Sequence, residues 1–177
     1  MSTQSIAEAL QRVESVLRRR PEMGMHDDAP ATARWERGTR VVASHANGTQ
    51  VATDMPNELG GTGDKVTPGW LFRAGLASCA ATSIALAAAA KGIELTALEV
   101  RATSRSDARG LLGMADATGV PIPAGPTDVQ LHVRIAADDV DPARLRALVD
   151  HGCRCSPIPN AVTSAVPVDV RIDVGAA

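Results

Sequence analysis

Aromatic residues are almost missing from this chain of 177 residues, which has two tryptophans, one phenylalanine and no tyrosine. Base-stacking platforms and aromatic cages for cations both need several rings, so neither kind of site is well supplied. A concentrated basic face is lacking too, because 18 Lys and Arg residues are offset by 20 Asp and Glu residues and the net charge is -2. Binding to phosphates needs such a face, so the composition argues against a nucleic-acid partner.

Cysteines are few and odd in number: Cys79, Cys153 and Cys155. A secreted scaffold stapled by disulfides has a dense and even set. The N-terminus lacks the apolar run of a signal peptide, and we expect no segment that is long and apolar enough to span a membrane. These absences predict a cytoplasmic protein whose thiols are packed, reactive or metal-bound.

Metal and nucleotide motifs are also missing. His151, Cys153 and Cys155 lie close together, but one residue separates the two cysteines and no second ligand pair exists elsewhere. A structural zinc site needs four ligands and usually a two-residue gap between its cysteines, so we expect no metal site. A disulfide between Cys153 and Cys155 would be strained, and cytosolic conditions disfavour it. The chain has no phosphate-binding loop, HExxH or GxSxG motif, and we expect no bound cofactor.

The spacing of apolar residues predicts an α+β protein with an antiparallel sheet. Residues 1–30 are expected to form an amphipathic helix that ends at Pro21, followed by a linker, and residues 31–177 the main domain. Within that domain the pattern predicts a hairpin turning at Asn47-Gly48, a glycine-rich loop and a long helix, followed by strands over 94–106 and 127–137, helices over 142–152 and 156–164, and a terminal strand over 166–174.

The long helix is expected over residues 69–91, with Thr67 as its N-cap, Pro68 at its first position and Gly92 at its end. It is apolar on every face, which is typical of a buried helix. A single sheet cannot cover such a helix on all sides. We therefore expect part of the cover to come from a second subunit.

Cys79 lies inside this helix, where a free cysteine is most often a small apolar core residue. A chemical role would require a thiolate, and an ordinary thiol needs a neighbouring cation or dipole to form one at neutral pH. Arg34, Arg37 and Arg40 on the first predicted strand are the candidate cations. Spacing alone does not place them beside Cys79.

Three segments together resemble the OsmC/Ohr family of osmotically inducible and organic hydroperoxide resistance proteins. They are PNELGGTG at 56–63, TPGWLFRAGLASC at 67–79 and SPIPNAV at 156–162, and the resemblance extends over residues 31–174. It implies an intertwined homodimer in which antiparallel sheets wrap around long central helices from both subunits. The implied fold agrees with the need of the long helix for cover from outside the chain.

The resemblance also implies an activity. Family members with two cysteines reduce organic hydroperoxides: the first cysteine becomes a sulfenic acid, the second closes a disulfide, and a dithiol carrier returns the electrons. Carried over by motif, Cys79 is the nucleophile and Arg37 the cation that favours its thiolate, with Arg34 and Arg40 as further candidates. No metal or bound organic cofactor is implied.

Two residues depart from the family pattern. Gly69 stands where the family has a glutamate after the proline, and Ser156 stands where the second cysteine belongs, with Cys155 one residue earlier. We expect Cys155, rather than Cys153, to act as the resolving thiol after a local shift. The alternative is a non-catalytic dimer of the same fold that binds an apolar small molecule.

Overall fold

The computed structural model describes residues 2–175 and has a mixed α+β architecture with two antiparallel sheets, as the sequence predicts. Its helices and strands follow one another in the order α1 (Thr3–Arg19), β1 (Thr32–Arg37), β2 (Arg40–Ser44), β3 (Gln50–Thr53), α2 (Pro68–Ala90), β4 (Ala97–Arg105), α3 (Ala108–Leu111), β5 (Thr127–Ala136), α4 (Pro142–Arg154) and α5 (Pro157–Thr163).

The first sheet has the order β1-β2-β3, one strand more than the predicted hairpin. The sequence pattern indicates a single strand where β1 and β2 form a hairpin of their own. Gly38 makes that turn with a φ of +53°, and the Trp35 indole nitrogen donates to its carbonyl oxygen at 2.9 Å. The second turn lies at Asn47-Gly48, as predicted.

The second sheet pairs β4 with β5, and α2 and α4 pack beside it. Leu98 lies opposite Ile135 and Val100 opposite Val133 across the two strands. The buried cluster beneath consists of Ala88, Ile93 and Leu148, with partly buried aliphatic side chains around it. Helix α2 also contacts α1, whose Ile6, Leu10 and Leu17 are partly buried whereas Val13 is 56% exposed.

Helix α2 begins and ends where its capping residues predict. The Thr67 side-chain oxygen accepts from the backbone nitrogen of Trp70 at 3.2 Å, Pro68 takes the first position, and Gly92 follows the helix with a φ of +64°. Only five of its 23 residues are buried: Leu76, Ala80, Ile84, Ala88 and Ala89. The single chain therefore leaves much of a helix that is apolar all round without full cover.

The expectation that no segment is long and apolar enough to span a membrane is wrong, because α2 meets both conditions. Length and composition are weak indications by themselves, since the central helix of a soluble protein has the same properties.

The predicted terminal strand over 166–174 is also wrong for the single chain, since residues 164–175 form neither helix nor strand. The alternating Val and Ile side chains of this segment are exposed, from 61% at Val166 to 94% at Val174. Alternation describes a strand only when another strand lies beside it to accept its hydrogen bonds. The described part of this chain places none there.

A close approach between α2 and α4 fixes where α4 packs on the long helix. Gly152 is buried, and a Cβ atom at this position would lie 2.7 Å from the Cα atom of Ile84. Only glycine allows the two backbones to come so close. The α4 helix continues beyond the predicted end at Gly152 to Arg154 and leads directly to α5.

We predict that Gly152→Ala destabilises the protein by roughly 1–3 kcal/mol, the usual cost of forcing an extra methyl group into a packed interface. The steric cost must exceed the gain of up to about 1 kcal/mol that alanine brings to a helix interior. Urea denaturation measures the difference in the free energy of unfolding between the variant and the unmodified protein. Gly125→Ala is the control, because a Cβ atom at Gly125 would meet nothing within 4 Å. An unchanged or raised midpoint for Gly152→Ala would contradict the interpretation.

Candidate functional site

Cys79 lies on α2 beneath the junction of α4 and α5, and two donors from that junction reach its sulfur. The Ser156 hydroxyl donates to the Cys79 Sγ atom at 3.2 Å, and the backbone nitrogen of Ile158 donates at 3.4 Å. The thiol is partly buried, and Ser156 is completely buried. Sequence reasoning singled out Ser156 only as a departure and did not place it against the sulfur.

The junction itself is held by a proline at the helix start and by hydrogen bonds from one side chain to the backbone. Ser156 is the N-cap residue of α5, and Pro157 occupies the first helical position with its φ already suited to the helix. The Asn160 amide nitrogen donates to the carbonyl oxygens of Arg154 at 2.8 Å and Ser156 at 2.7 Å. These bonds tie the end of α4 to the start of α5 and keep the Ser156 hydroxyl on Cys79.

The two donors suit chemistry at sulfur. A thiolate is the nucleophilic form of cysteine and is a better acceptor of hydrogen bonds than a thiol. A hydroxyl and an amide that both point at Sγ are donors from which a sulfur anion can accept, and they can also hold an oxygen added to the sulfur. The contacts of Cys79 are compatible with a reactive thiol as well as with a packed one.

Neither of the other cysteines contacts Cys79. Cys155 is the C-cap residue of α4, exposed, and its Sγ atom lies 3.9 Å from Nε2 of His151. Cys153 is partly buried; burial, and secondarily the charge of Asp150, raise the pKa of its thiol. All three cysteines are free thiols in this structure.

The three candidate arginines have different environments. Arg34 and Arg37 are exposed on β1, and neither takes part in an ion pair or a side-chain hydrogen bond within the described residues. Arg40 lies opposite Arg37 in the sheet, and its guanidinium pairs with Asp54 at 3.1 Å and with Asp64. No arginine from this strand pair contacts Cys79 in the single chain.

Asp54 is the centre of a polar network that sequence reasoning missed. Its carboxylate is buried and accepts from the Thr39 hydroxyl at 2.5 Å and from the Thr62 hydroxyl at 2.7 Å. These hydroxyl bonds hold the pKa of Asp54 well below its usual range, and the bond to Asp54 raises the pKa of Arg40. The network fixes the loop over 54–64, where a Cβ atom on Gly61 would collide with the Met55 carbonyl oxygen at 1.8 Å.

This loop forms one wall of a cleft of about 480 Å³ at the start of α2. The rest of the cleft comes from the first turn and a half of α2, from residues 106–111 and from residues 124–126. The lining is mostly apolar, with Leu59, Phe72 and Leu111 among its side chains, and it includes Gly69 and Arg73. Arg73 was not singled out from the sequence, although it stands one helical turn after the unusual Gly69.

The residues described here contain no group of three His, Cys, Asp or Glu side chains close enough to hold a metal ion.

Comparison with known proteins gives a consistent result. A family model described as OsmC-like protein matches residues 61–171. Three similar solved structures are an OsmC-like protein from Mycoplasma pneumoniae (20% identity, TM-score 0.64), an organic hydroperoxide resistance protein from Elizabethkingia anophelis (23%, 0.59) and an OsmC-like protein of unknown function from Vibrio cholerae (14%, 0.61). The alignments cover 78%, 78% and 77% of this chain and 89%, 89% and 94% of the relatives. No curated protein sequence matches this chain.

We predict that Asp54→Asn lowers the melting temperature by several degrees near neutral pH, because it removes the charge that Arg40 and the two hydroxyls stabilise. The folded pKa of this carboxyl is lower than that of the unfolded chain. Its contribution is therefore complete above the ordinary aspartate range near pH 4 and is lost as the pH falls below it.

The melting temperatures of both proteins are followed from pH 7 to pH 2, and the gap between them should narrow toward the acid end. Asp27→Asn, at an exposed position, serves as control and should track the unmodified protein throughout. A gap for Asp54→Asn that stays constant with pH would show that its charge does not stabilise the fold.

Proposed function

The chain belongs to the OsmC-like protein family, and on that premise we propose that it is a thiol-dependent peroxidase that reduces organic hydroperoxides at Cys79. The contact of Ser156 and Ile158 with the Cys79 sulfur is the observation that carries this proposal. Relatives of the same fold are named organic hydroperoxide resistance proteins, and this supports a role in the response to oxidative stress.

The reaction begins when the Cys79 thiolate attacks the terminal oxygen of the hydroperoxide. A sulfur–oxygen bond forms, the oxygen–oxygen bond breaks, and the alkoxide leaves as an alcohol after taking up a proton. The sulfur is oxidised to a sulfenic acid while the peroxide is reduced. The Ser156 hydroxyl and the Ile158 amide donate to the sulfur before the attack and hold the sulfenate oxygen after it.

We assign the resolving step to Cys155. Its thiol condenses with the sulfenic acid, forming a disulfide and releasing water, and a dithiol carrier then reduces the disulfide and becomes oxidised in turn. Cys155 stands one residue before the serine that touches Cys79, and its sulfur lies beside His151. The step therefore includes a local rotation of the α4–α5 junction, which brings the Cys155 sulfur to the place of the Ser156 hydroxyl.

Arg37 is assigned the role of the cation that favours the thiolate. In the single chain it is exposed on β1 and has no acidic partner within residues 2–175. We place its action in a homodimer, where the exposed strand and the uncovered side of α2 meet a second copy. The substrate and the dithiol reductant are the other partners, and no nucleic acid or membrane is involved.

Two features of the single chain support the homodimer. Helix α2 is apolar on every face, but only five of its 23 residues are buried, and its Leu86 is exposed. The segment over 166–174 carries five alternating apolar side chains that have no cover. A second copy would supply both the helix cover and the missing neighbouring strand. Proteins of this family are generally soluble, and we propose a cytoplasmic location.

We predict that the protein sediments as a dimer at micromolar concentration, because a stable monomer would leave these apolar surfaces in water. Deleting residues 166–177 should shift the population toward monomer or aggregate. A soluble monomer at micromolar concentration, with the full chain, would overturn the dimer.

We predict that one equivalent of an organic hydroperoxide removes two free thiols per chain and leaves a disulfide between Cys79 and Cys155. Thiol titration and peptide mapping measure this. Cys79→Ser should abolish peroxide consumption, Cys155→Ser should stop turnover after the first oxidation, and Cys153→Ser, the matched control, should leave turnover largely intact. Mapping of a bond from Cys79 to Cys153 would overturn the assignment of Cys155, and undiminished consumption by Cys79→Ser would overturn the enzyme.

A second function, a non-catalytic protein that binds an apolar small molecule, is favoured by the identity of residue 156 and by the cleft. The serine in contact with Cys79 replaces the family's resolving cysteine, and a largely apolar cleft opens at the start of the same helix. In that case the hydroperoxide leaves all three thiols unchanged. Loss of a single thiol would instead indicate a sulfenic acid that an external thiol resolves.

A further inference from the structure

The Cys79 sulfur is in contact with a backbone nitrogen from another helix. The Ile158 amide nitrogen lies 3.4 Å from the Cys79 Sγ atom, although the two residues are 79 positions apart in the sequence. The Ser156 hydroxyl contacts the same sulfur at 3.2 Å. Within residues 2–175 the thiols of Cys153 and Cys155 make no contact with this sulfur, so the amide nitrogen is closer to it than either thiol.

The Ile158 amide is available because of its place in α5. Pro157 fills the first helical position and has no N–H, so Ile158 carries the first amide of the helix. The first four amides of an α-helix have no partner within it, and the partner that the structure gives this one is the Cys79 sulfur. A covalent bond at this nitrogen would therefore break no backbone hydrogen bond of α5.

The Ile158 side chain packs where it keeps the nitrogen over the sulfur. Its Cδ1 atom would lie 3.7 Å from a Cβ atom added to Gly75. Gly75 stands four residues before Cys79, about one turn of α2, so both residues lie on the same face of that helix. Gly75 is under the side chain of Ile158, and Cys79 is under its backbone.

We propose that oxidised Cys79 forms a covalent bond with the Ile158 backbone nitrogen, a cyclic sulfenamide that joins α2 to α5. The step follows oxidation of the thiol to a sulfenic acid by a hydroperoxide. A sulfur–nitrogen bond then forms, the sulfur–oxygen bond breaks, and the oxygen leaves as water with the amide proton. The oxidation state of the sulfur does not change in this step. The Ser156 hydroxyl is placed to donate to the departing oxygen.

A sulfenamide keeps the oxidised sulfur in a form that thiols restore. An incoming thiol forms a disulfide with Cys79 while the sulfur–nitrogen bond breaks and the nitrogen regains its proton, and a second thiol then releases the Cys79 thiol. Further hydroperoxide finds no sulfenic acid to convert to the irreversible sulfinic acid. The inference rests on the first step of the proposed function, the oxidation of Cys79, and the sulfenamide precedes the reaction with Cys155 or with the dithiol carrier.

The test uses the double variant Cys153→Ser/Cys155→Ser, in which no disulfide can form within the chain. After one equivalent of cumene hydroperoxide its mass should be about 2 Da below that of the reduced protein, because one oxygen is gained and one water is lost. A tryptic digest should contain the peptide over 74–91, which includes Cys79, joined to the peptide over 155–171, which has no cysteine in this variant. Dithiothreitol should separate the two peptides and restore the thiol.

Two substitutions at Ile158, each added to the double variant, separate the nitrogen from the side chain. Ile158→Pro removes the amide hydrogen and should abolish the joined peptides. Its sulfenic acid should remain open to dimedone, and excess hydroperoxide should convert it mainly to sulfinic acid. Ile158→Val, the matched control, keeps the amide and should form the link.

Joined peptides in Ile158→Pro overturn the assignment of the nitrogen. A sulfenic acid that dimedone labels, with no link, in the double variant itself overturns the sulfenamide. That second result needs no substitution at Ile158, so the test stays decisive if Ile158→Pro fails to fold.

Hydrogen peroxide, an oxidant outside the organic class, separates this inference from the proposed function. If the unmodified protein turns over cumene hydroperoxide but the double variant gives a sulfenic acid and no link, the sulfenamide is wrong and the peroxidase stands. If organic hydroperoxides are not consumed but hydrogen peroxide produces the joined peptides, the peroxidase is wrong and the sulfenamide stands.

Discussion

The close packing of α4 on α2 at Gly152 is the contact on which the site depends. Gly152 stands four residues before Ser156, and Ile84, against which it packs, stands five residues after Cys79. A side chain at the crossing would push the two helices apart and lift the α4–α5 junction away from α2. The serine hydroxyl and the Ile158 amide would then no longer reach the Cys79 sulfur. The chemistry proposed for Cys79 thus depends on a missing methyl group about one helical turn away.

Much of the fold can be predicted from local signals. The capping residues of α2 mark both its ends, and period-two alternation identifies β4 and β5. The residues that escaped prediction depend on partners distant in sequence. Alternation continues through Gly38 and hides a turn there, and it indicates a strand over 166–174 although the single chain has no strand beside it.

Only part of the candidate site could be predicted, because several of its contacts also join residues distant in sequence. The resemblance in the helix motif identified Cys79, and gapless spacing identified Ser156 as the residue at the second-cysteine position, which is where the structure places a hydroxyl on the sulfur. The Arg40–Asp54 network could not be predicted, because it joins residues from different elements. The position of Arg73 in the cleft wall could not be predicted either, because the cleft is formed by segments distant in sequence. The departure at Gly69 was visible from the sequence, whereas the Arg73 guanidinium beside it was not.

The uncovered segment over 166–174 has a consequence for how this protein survives in a cell. If the chain pairs with a second copy as proposed, it gains stability by mass action, so the free energy of unfolding rises with the concentration of the protein itself. At low abundance the free chain offers proteases an extended segment with no hydrogen-bonded neighbour. Expression level would then control turnover, and the protein would accumulate most when the cell makes it in quantity.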